Sequence, residues 1–266
     1  MIKDITLGQY YRADSVIHRL DPRVKLAGTL AFIIALFVVD NLIGYLLVTL
    51  FLLLAIFLCK VPVKFMVKGM KAILVLLIIA ALFNAFLTPG EPIFTLWKIA
   101  ITKEGLIQAA KMSVRLIYLV LGSSIMTLTT TPNNLTDGLE ISLKPLKYVK
   151  VPVHEIAMMM SIALRFIPIL LEETDKIMKA QTARGVDFEN GKLGEKIKSL
   201  VSLLVPLFVS AFRRANDLAM AMEARCYRGG EGRTKMKPLK YHLRDAISYA
   251  ILVAFVAGSI LTRIYC

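Results

Sequence analysis

Residues 42–59 read LIGYLLVTLFLLLAIFLC, a run without a single charge. As a helix rising 1.5 Å per residue it is about 27 Å long, enough to cross the hydrocarbon core of a bilayer. Residues 26–39 form another apolar run just before it, separated only by Asp40-Asn41. Two polar residues between two such runs predict a tight helical hairpin. The first run is short and must borrow flanking residues such as Val24 and Lys25, with the lysine stem snorkelling. Residues 72–87, closed by Thr88-Pro89-Gly90, residues 105–128 and residues 246–264 are three further candidates. These runs predict an all-α integral membrane protein with about five transmembrane helices.

Composition points the same way. The 266 residues are 57% hydrophobic, with mean hydropathy +0.66 and a formal net charge of +14. A soluble domain is nearer half apolar and lacks long apolar runs. A basic chain can attract nucleic acid, but the apolar runs exclude that partner. The cysteines Cys59, Cys226 and Cys266 are isolated and odd in number, so neither a disulfide framework nor a zinc site is indicated. The first apolar run lies behind a polar segment holding Asp14, His18 and Asp21, so no cleavable signal peptide is expected.

Charge asymmetry sets an expected orientation. Lys60, Lys64, Lys68 and Lys71 follow the second span with no acidic residue among them. In the loop of residues 88–104, Lys98 and Lys103 balance Glu91 and Glu104. The positive-inside rule therefore puts residues 60–71 and the N-terminus in the cytoplasm and the C-terminus outside, in a multi-pass protein of the cell membrane. The four lysines, interleaved with Val63, Phe65, Val67 and Met70, suit an interfacial amphipathic helix. The expected division is a bundle over residues 1–129, a cytoplasmic helical module over residues 130–242, and a final span over residues 243–266.

The cytoplasmic module is itself rich in apolar residues. Residues 156–171 are an apolar-rich stretch interrupted by Arg165 and Pro168, and charges follow at Glu172, Glu173, Asp175, Lys176 and Lys179. Residues 200–212 repeat the plan around Pro206, followed by Arg213, Arg214, Asn216, Asp217 and Glu223. Each stretch reads as a helix lying under the bilayer, and the alternative counts one or both as crossings. An exposed apolar stretch of this length needs lipid or a partner to cover it. Pro168, Leu171, Leu204, Pro206 and Leu207 are the candidate contacts.

Residues suited to chemistry are scattered. His18, His154 and His242 have no companions at metal-ligand spacing. No nucleophile elbow or Walker motif occurs, and Gly229-Gly230-Glu231-Gly232 follows no strand. Neither catalysis, a metal nor a cofactor is expected. Lys111 and Arg115, four residues apart, fall on one helix face. The preferred reading has Lys111 snorkelling and Arg115 paired with a polar group such as Asn84. The alternative is a stand-alone channel or secondary transporter that uses both cations. Asp40 and Asn41 are read simply as a loop.

One motif occurs twice. Ala180-Gln181-Thr182-Ala183-Arg184-Gly185 recurs in outline as Ala221-Met222-Glu223-Ala224-Arg225, with Cys226 where the first copy has Gly185. Each copy ends a helical stretch that is expected to start near a proline, Pro168 or Pro206. A single arginine in a helix's last turn is explained by the macrodipole and a glycine cap. Two equivalent copies point instead to a docking device. Alanines one turn apart let a partner approach, and a guanidinium forks onto a carboxylate as lysine cannot.

These residues resemble the transmembrane T component of energy-coupling factor transporters, a branch of the ABC importers. The likeness spans the chain and includes His18-Arg19-Leu20-Asp21-Pro22-Arg23-Val24-Lys25, residues 129–140, Arg165-Phe166-Ile167-Pro168, and above all Ala183-Arg184-Gly185 with Ala224-Arg225-Cys226. Cys226 departs from the family's usual glycine. The resemblance implies a scaffold of coupling helices without a catalytic site. It further implies that the two motif arginines dock on two cytosolic ATP-binding subunits. The apolar faces would hold a membrane-embedded substrate-binding S component that delivers a vitamin or a metal ion.

Overall fold

A computed structural model describes residues 10–89, 92–96, 99–188, 193–230, 236 and 238–265. Its eight α-helices are α1 (Pro22–Val38), α2 (Leu42–Cys59), α3 (Val63–Leu87), α4 (Lys103–Thr129), α5 (Pro132–Ser142), α6 (Val153–Ala183), α7 (Leu193–Ala224) and α8 (Leu243–Tyr265). Between α3 and α4, β1 (Pro92–Leu96) and β2 (Ile99–Thr102) pair antiparallel, with Leu96 opposite Ile99 and Thr95 opposite Ala100. This hairpin is the one departure from an all-α chain among the described residues, in a stretch expected to be plain loop.

Local chemistry explains the helix limits. Asp21 caps α1 by accepting a hydrogen bond from Arg23 N at 2.9 Å, and Pro22 takes the first helical position. α1 therefore starts ahead of the apolar run. α2 matches its expected bounds and ends where Lys60 adopts φ 54°. The lysine-bearing segment after it is not a separate interfacial helix. Residues 63–87 form one 25-residue helix, because alternating lysines do not interrupt a backbone ladder. The side chains of Lys68, Met70 and Lys71 lie outside the described residues, as do Glu91, Lys98, Cys266 and the Glu231-Gly232 part of the glycine cluster. Thr102 caps α4, its Oγ1 accepting from Gly105 N at 3.1 Å.

Two compact units divide the chain, residues 8–138 with 239–266, and residues 139–238. In the first, α1, α2, α4 and α8 surround a core of Phe32, Leu36, Val48, Leu52, Ile125, Leu128 and Phe255. The Phe51 and Phe255 rings stack at 4.1 Å, and Phe32 reaches them over Gly122. A Cβ on Gly122 would lie 2.4 Å from the Phe32 ring, so glycine is what admits this close approach. Around α2, Gly44, Val48, Leu52 and Cys59 are buried, whereas Leu42, Leu46, Leu50, Leu53 and Phe57 face out with 59–86% exposure. A helix apolar on its buried and exposed sides alike belongs in lipid.

One end of this bundle is held by polar groups. Asp245, 1% exposed, accepts from Asp21 N (2.9 Å) and His242 N (2.8 Å), tying the start of α1 to the start of α8. Arg23 forks onto Asp21 and lies over the Tyr241 ring at 3.8 Å. Lys25 Nζ donates to Thr129 O (2.9 Å) and His18 O (3.2 Å), adding the end of α4.

Among the described residues, four helices are long and apolar enough to cross a membrane: α2, α4, α6 and α8. The set differs from the five expected spans. α1 has 17 residues, and α3 contributes the apolar stretch Ile73–Asn84 among its described side chains. α6 qualifies because it is 31 residues long.

Candidate docking site

The second unit centres on α6 and α7, which pack against each other. Sequence placed their starts near Pro168 and Pro206, but both prolines lie inside continuous helices of 31 and 32 residues. Proline suits a first helical turn, yet neither is preceded by a Ser, Thr, Asp or Asn that could cap a new start. Each helix instead runs on through the proline and accepts one missing backbone hydrogen bond.

The two C-termini are built alike. In α6, Gly185 N donates to Thr182 O (2.9 Å) and Val186 N to Gln181 O (3.0 Å). In α7, Cys226 N donates to Glu223 O (2.8 Å) and Tyr227 N to Met222 O (3.0 Å). This is the Schellman arrangement, which requires a left-handed residue just beyond the cap. Gly185 supplies φ 88°, and Cys226 takes φ 56° in the same place. The substitution therefore leaves the geometry intact, at some conformational cost.

Arg184 and Arg225 hold equivalent cap positions. Both are exposed, as are Ala180, Ala183, Ala221, Ala224 and Cys226. Among the described residues no hydrogen bond or ion pair engages either guanidinium. Each is a solvent-exposed cation at a helix end, with small side chains one turn behind it. A planar donor so presented can fork onto a partner's carboxylate or helix-end carbonyls.

A stripe on α7 adds a second surface. Ile197, Val201, Leu204, Val205, Phe208, Val209 and Phe212 recur at helical spacing with 45–66% exposure, and Phe208 and Phe212 stack at 6.4 Å. Leu204, expected at a contact, is on this stripe. Pro206 and Leu207 are half-buried and off it, and on α6 Pro168 is exposed while Leu171 is half-buried. Val201, Val205, Phe208, Val209 and Phe212 fall within the apolar stretch 200–212 expected to need a cover, though not named individually, while Ile197 lies outside it because proline-centred runs were weighed rather than the 100° phase of one long helix.

The pattern of the family described as cobalt transport protein matches residues 13–236. A Clostridium kluyveri protein named energy-coupling factor transporter transmembrane protein EcfT is 54% identical over 268 residues, covering 100% of this chain and 99% of the relative. Proteins of the same name from Bacillus subtilis and Lactococcus lactis are 47% and 45% identical, each covering 97% or more of both chains. The chain belongs to this transmembrane energy-coupling family. It is a multi-pass membrane component of energy-coupling factor transporters.

Other expected sites resolve differently. Arg115 pairs with Asp40, not Asn84: its Nη2 donates to Asp40 Oδ1 (2.9 Å) and Val39 O (3.1 Å), and Lys111 Nζ donates to Asp40 O (3.3 Å). Asn84 instead donates to Ala80 O within its own helix. Asn41 Nδ2 donates to Thr262 O (3.1 Å). Asp40 and Asn41 are thus more than a loop, joining the α1–α2 turn to α4 and α8. His154 is not alone either, since its Nδ1 is 2.8 Å from Glu140 Oε1. Among the described residues no three His, Cys, Asp or Glu gather as a metal site.

Proposed function

We propose that Arg184 and Arg225 each dock on one of two cytosolic ATP-hydrolysing subunits, and that the α7 stripe around Leu204 holds a membrane-embedded substrate-binding subunit. The chain itself is a mechanical link between them and hydrolyses nothing. One observation carries this reading: two unpartnered arginines sit on matching caps of two helices of nearly equal length. The cargo, a vitamin or a metal ion, is chosen by the substrate-binding subunit. The N-terminus and residues 139–238 lie in the cytoplasm and the C-terminus outside, with α6 along the membrane surface because charges fill its second half. Supporting this, the short loop at residues 60–62 and the start of α3 carry lysines without acidic residues.

The test is co-purification of the ATP-hydrolysing subunits together with substrate uptake in vesicles. Losing one partner of a close charged pair costs about 2–5 kcal/mol, so Arg184→Glu or Arg225→Glu damages uptake, and the double variant releases both subunits. Lysine at either position rescues poorly, because it keeps the charge and loses the fork. Normal assembly and uptake in the double variant returns both arginines to ordinary helix caps. Leu204→Asp or Phe208→Asp abolishes capture of the substrate-binding subunit while the ATP-hydrolysing subunits stay bound; capture that tolerates both charges removes the stripe from the interface. For orientation, on a background without native cysteines, external reagent labels a cysteine at position 103 and spares ones at 67 and 148. The reverse pattern inverts the topology.

A further inference from the structure

Among the described residues, one ion pair joins α6 to α7: Arg214 Nη2 donates to Glu173 Oε2 at 3.0 Å, the side chains being 38% and 26% exposed. Its position along the two helices is symmetric. Eleven residues separate Glu173 from Arg184, and eleven separate Arg214 from Arg225. Eleven residues of α-helix make about three turns and about 16 Å. Each arginine therefore sits nearly above its own member of the pair, on the same face of its helix.

The prolines fall on the other side. Pro168 precedes Glu173 by five residues, and Pro206 precedes Arg214 by eight. Between the pair and each arginine the helix is free of proline, so its hydrogen-bond ladder is unbroken. Kinks belong where a proline removes a bond of that ladder. Each helix is thus divided by the ion pair into a proline-containing half and a rigid arm that ends in arginine. The contact is a single-point one, because Arg214 Nε is buried without a partner. One Nη on one carboxylate oxygen can persist while the crossing angle changes, whereas a forked pair would fix that angle.

We propose that Glu173 and Arg214 form the fulcrum of the two coupling helices. The pair fixes the crossing point so that two rigid arms of equal length move Arg184 and Arg225 in step, and confines bending to the proline-containing halves. This rests on the docking role of the two arginines given above. Glu173 and Arg214 are positioning residues, touching neither cargo nor nucleotide.

The experiment uses the complete complex in proteoliposomes, measuring substrate uptake per ATP hydrolysed alongside retention of the ATP-hydrolysing subunits. Glu173→Arg and Arg214→Glu each keep those subunits bound, since Arg184 and Arg225 are intact, and lower uptake per ATP by about tenfold or more. The exchanged double variant, with both changes, recovers at least about half of the wild-type ratio, as a direct pairwise interaction requires. Arg214→Gln is a milder variant that removes the pair without adding repulsion, and it lowers the ratio several-fold. A ratio within about twofold of wild type in the single reversals and in Arg214→Gln, or an exchanged variant no better than the singles, overturns the fulcrum. Loss of the docking reading shows elsewhere: the Arg184→Glu, Arg225→Glu double variant would retain both subunits whatever the fulcrum variants do.

Discussion

Exchanging the residues that follow the two motif arginines tests how the arms are capped. Cys226 occupies the left-handed region at φ 56°, where α6 places Gly185 at φ 88°. An L residue pays roughly 1–2 kcal/mol there, while glycine returns roughly 0.5–1 kcal/mol of that through its freer unfolded chain. Cys226→Gly therefore stabilises the end of α7 by about 0.5–1 kcal/mol, and Gly185→Ala destabilises the end of α6 by a similar amount. Packing hardly enters, because a Cβ on Gly185 meets nothing within 4 Å and Cys226 is exposed. Hydrogen exchange reads the effect at the donors of the two caps, Cys226 N and Tyr227 N in α7, Gly185 N and Val186 N in α6. A gain of 0.5–1 kcal/mol slows exchange about two- to fivefold when opening and closing are fast relative to chemical exchange. Unchanged or faster exchange in Cys226→Gly, together with a neutral Gly185→Ala, refutes the backbone-strain account and leaves the difference between the motifs without an energetic meaning.

Asp245→Ala leaves the buried amide Asp21 N and the part-buried amide His242 N without their acceptor. At about 1–3 kcal/mol each, the loss lowers the thermal midpoint of the purified chain clearly, and a shift too small to measure contradicts the role of this residue as a tie between α1 and α8. Asp40→Asn removes a pair whose carboxylate is 67% exposed, so it costs under about 1 kcal/mol and leaves uptake intact; abolished uptake would favour a conducting path along Lys111 and Arg115. His18 donates from Nε2 to Tyr11 O (3.0 Å), and its Nδ1 lies 2.7 Å from Ser15 Oγ. Burial, with a smaller push from Lys25, lowers its pKa below the ordinary 6.5. Its contribution is therefore complete above pH 6.5 and is lost as pH falls through the lower folded value. Thermal scans from pH 8 to 5 show that decline, and His18→Gln flattens it; an identical slope in the variant removes His18 as its source.

What sequence made legible depended on the reach of each signal. α2 was readable in full because its apolar run is uninterrupted and ends at Lys60. The start of α1 carried a local signal too, since Asp21-Pro22 is a cap followed by proline, but hydropathy alone looked past it to Leu26. α3 was divided at its lysines because charge patterns report surroundings, whereas a helix requires only that its backbone bonds close. Pro168 and Pro206 misled for the opposite reason: proline favours helix starts, and two long packed helices overrode that preference. The ends of α6 and α7 were placed correctly because Ala-Arg followed by Gly185 or Cys226 is contiguous. The partners of Arg115 and Asp245 were out of reach, lying 75 and 224 residues away in the chain.

The apolar surfaces of α2 and α7 resemble each other in exposure and differ in what can cover them. Every face of α2 is apolar, so lipid satisfies the outward residues as readily as Val48 and Leu52 satisfy the inward ones. α7 carries Lys196, Lys198, Arg213, Arg214, Asp217 and Glu223 on the same helix as its stripe. A helix so charged cannot be immersed in hydrocarbon without desolvating several ions. It can, however, lay one face against a membrane-embedded partner while its charges stay wet. Beyond the stripe, Arg213, Arg214, Asp217 and Glu223 lie toward the end that bears Arg225, while Lys196 and Lys198 flank the stripe at the other end. One helix is therefore graded from an apolar, kinkable segment suited to a partner in the membrane to a hydrated, rigid segment suited to a partner in water. α6 repeats the arrangement, with Glu172, Glu173, Asp175, Lys176 and Lys179 beyond Pro168 and toward its Arg184 end.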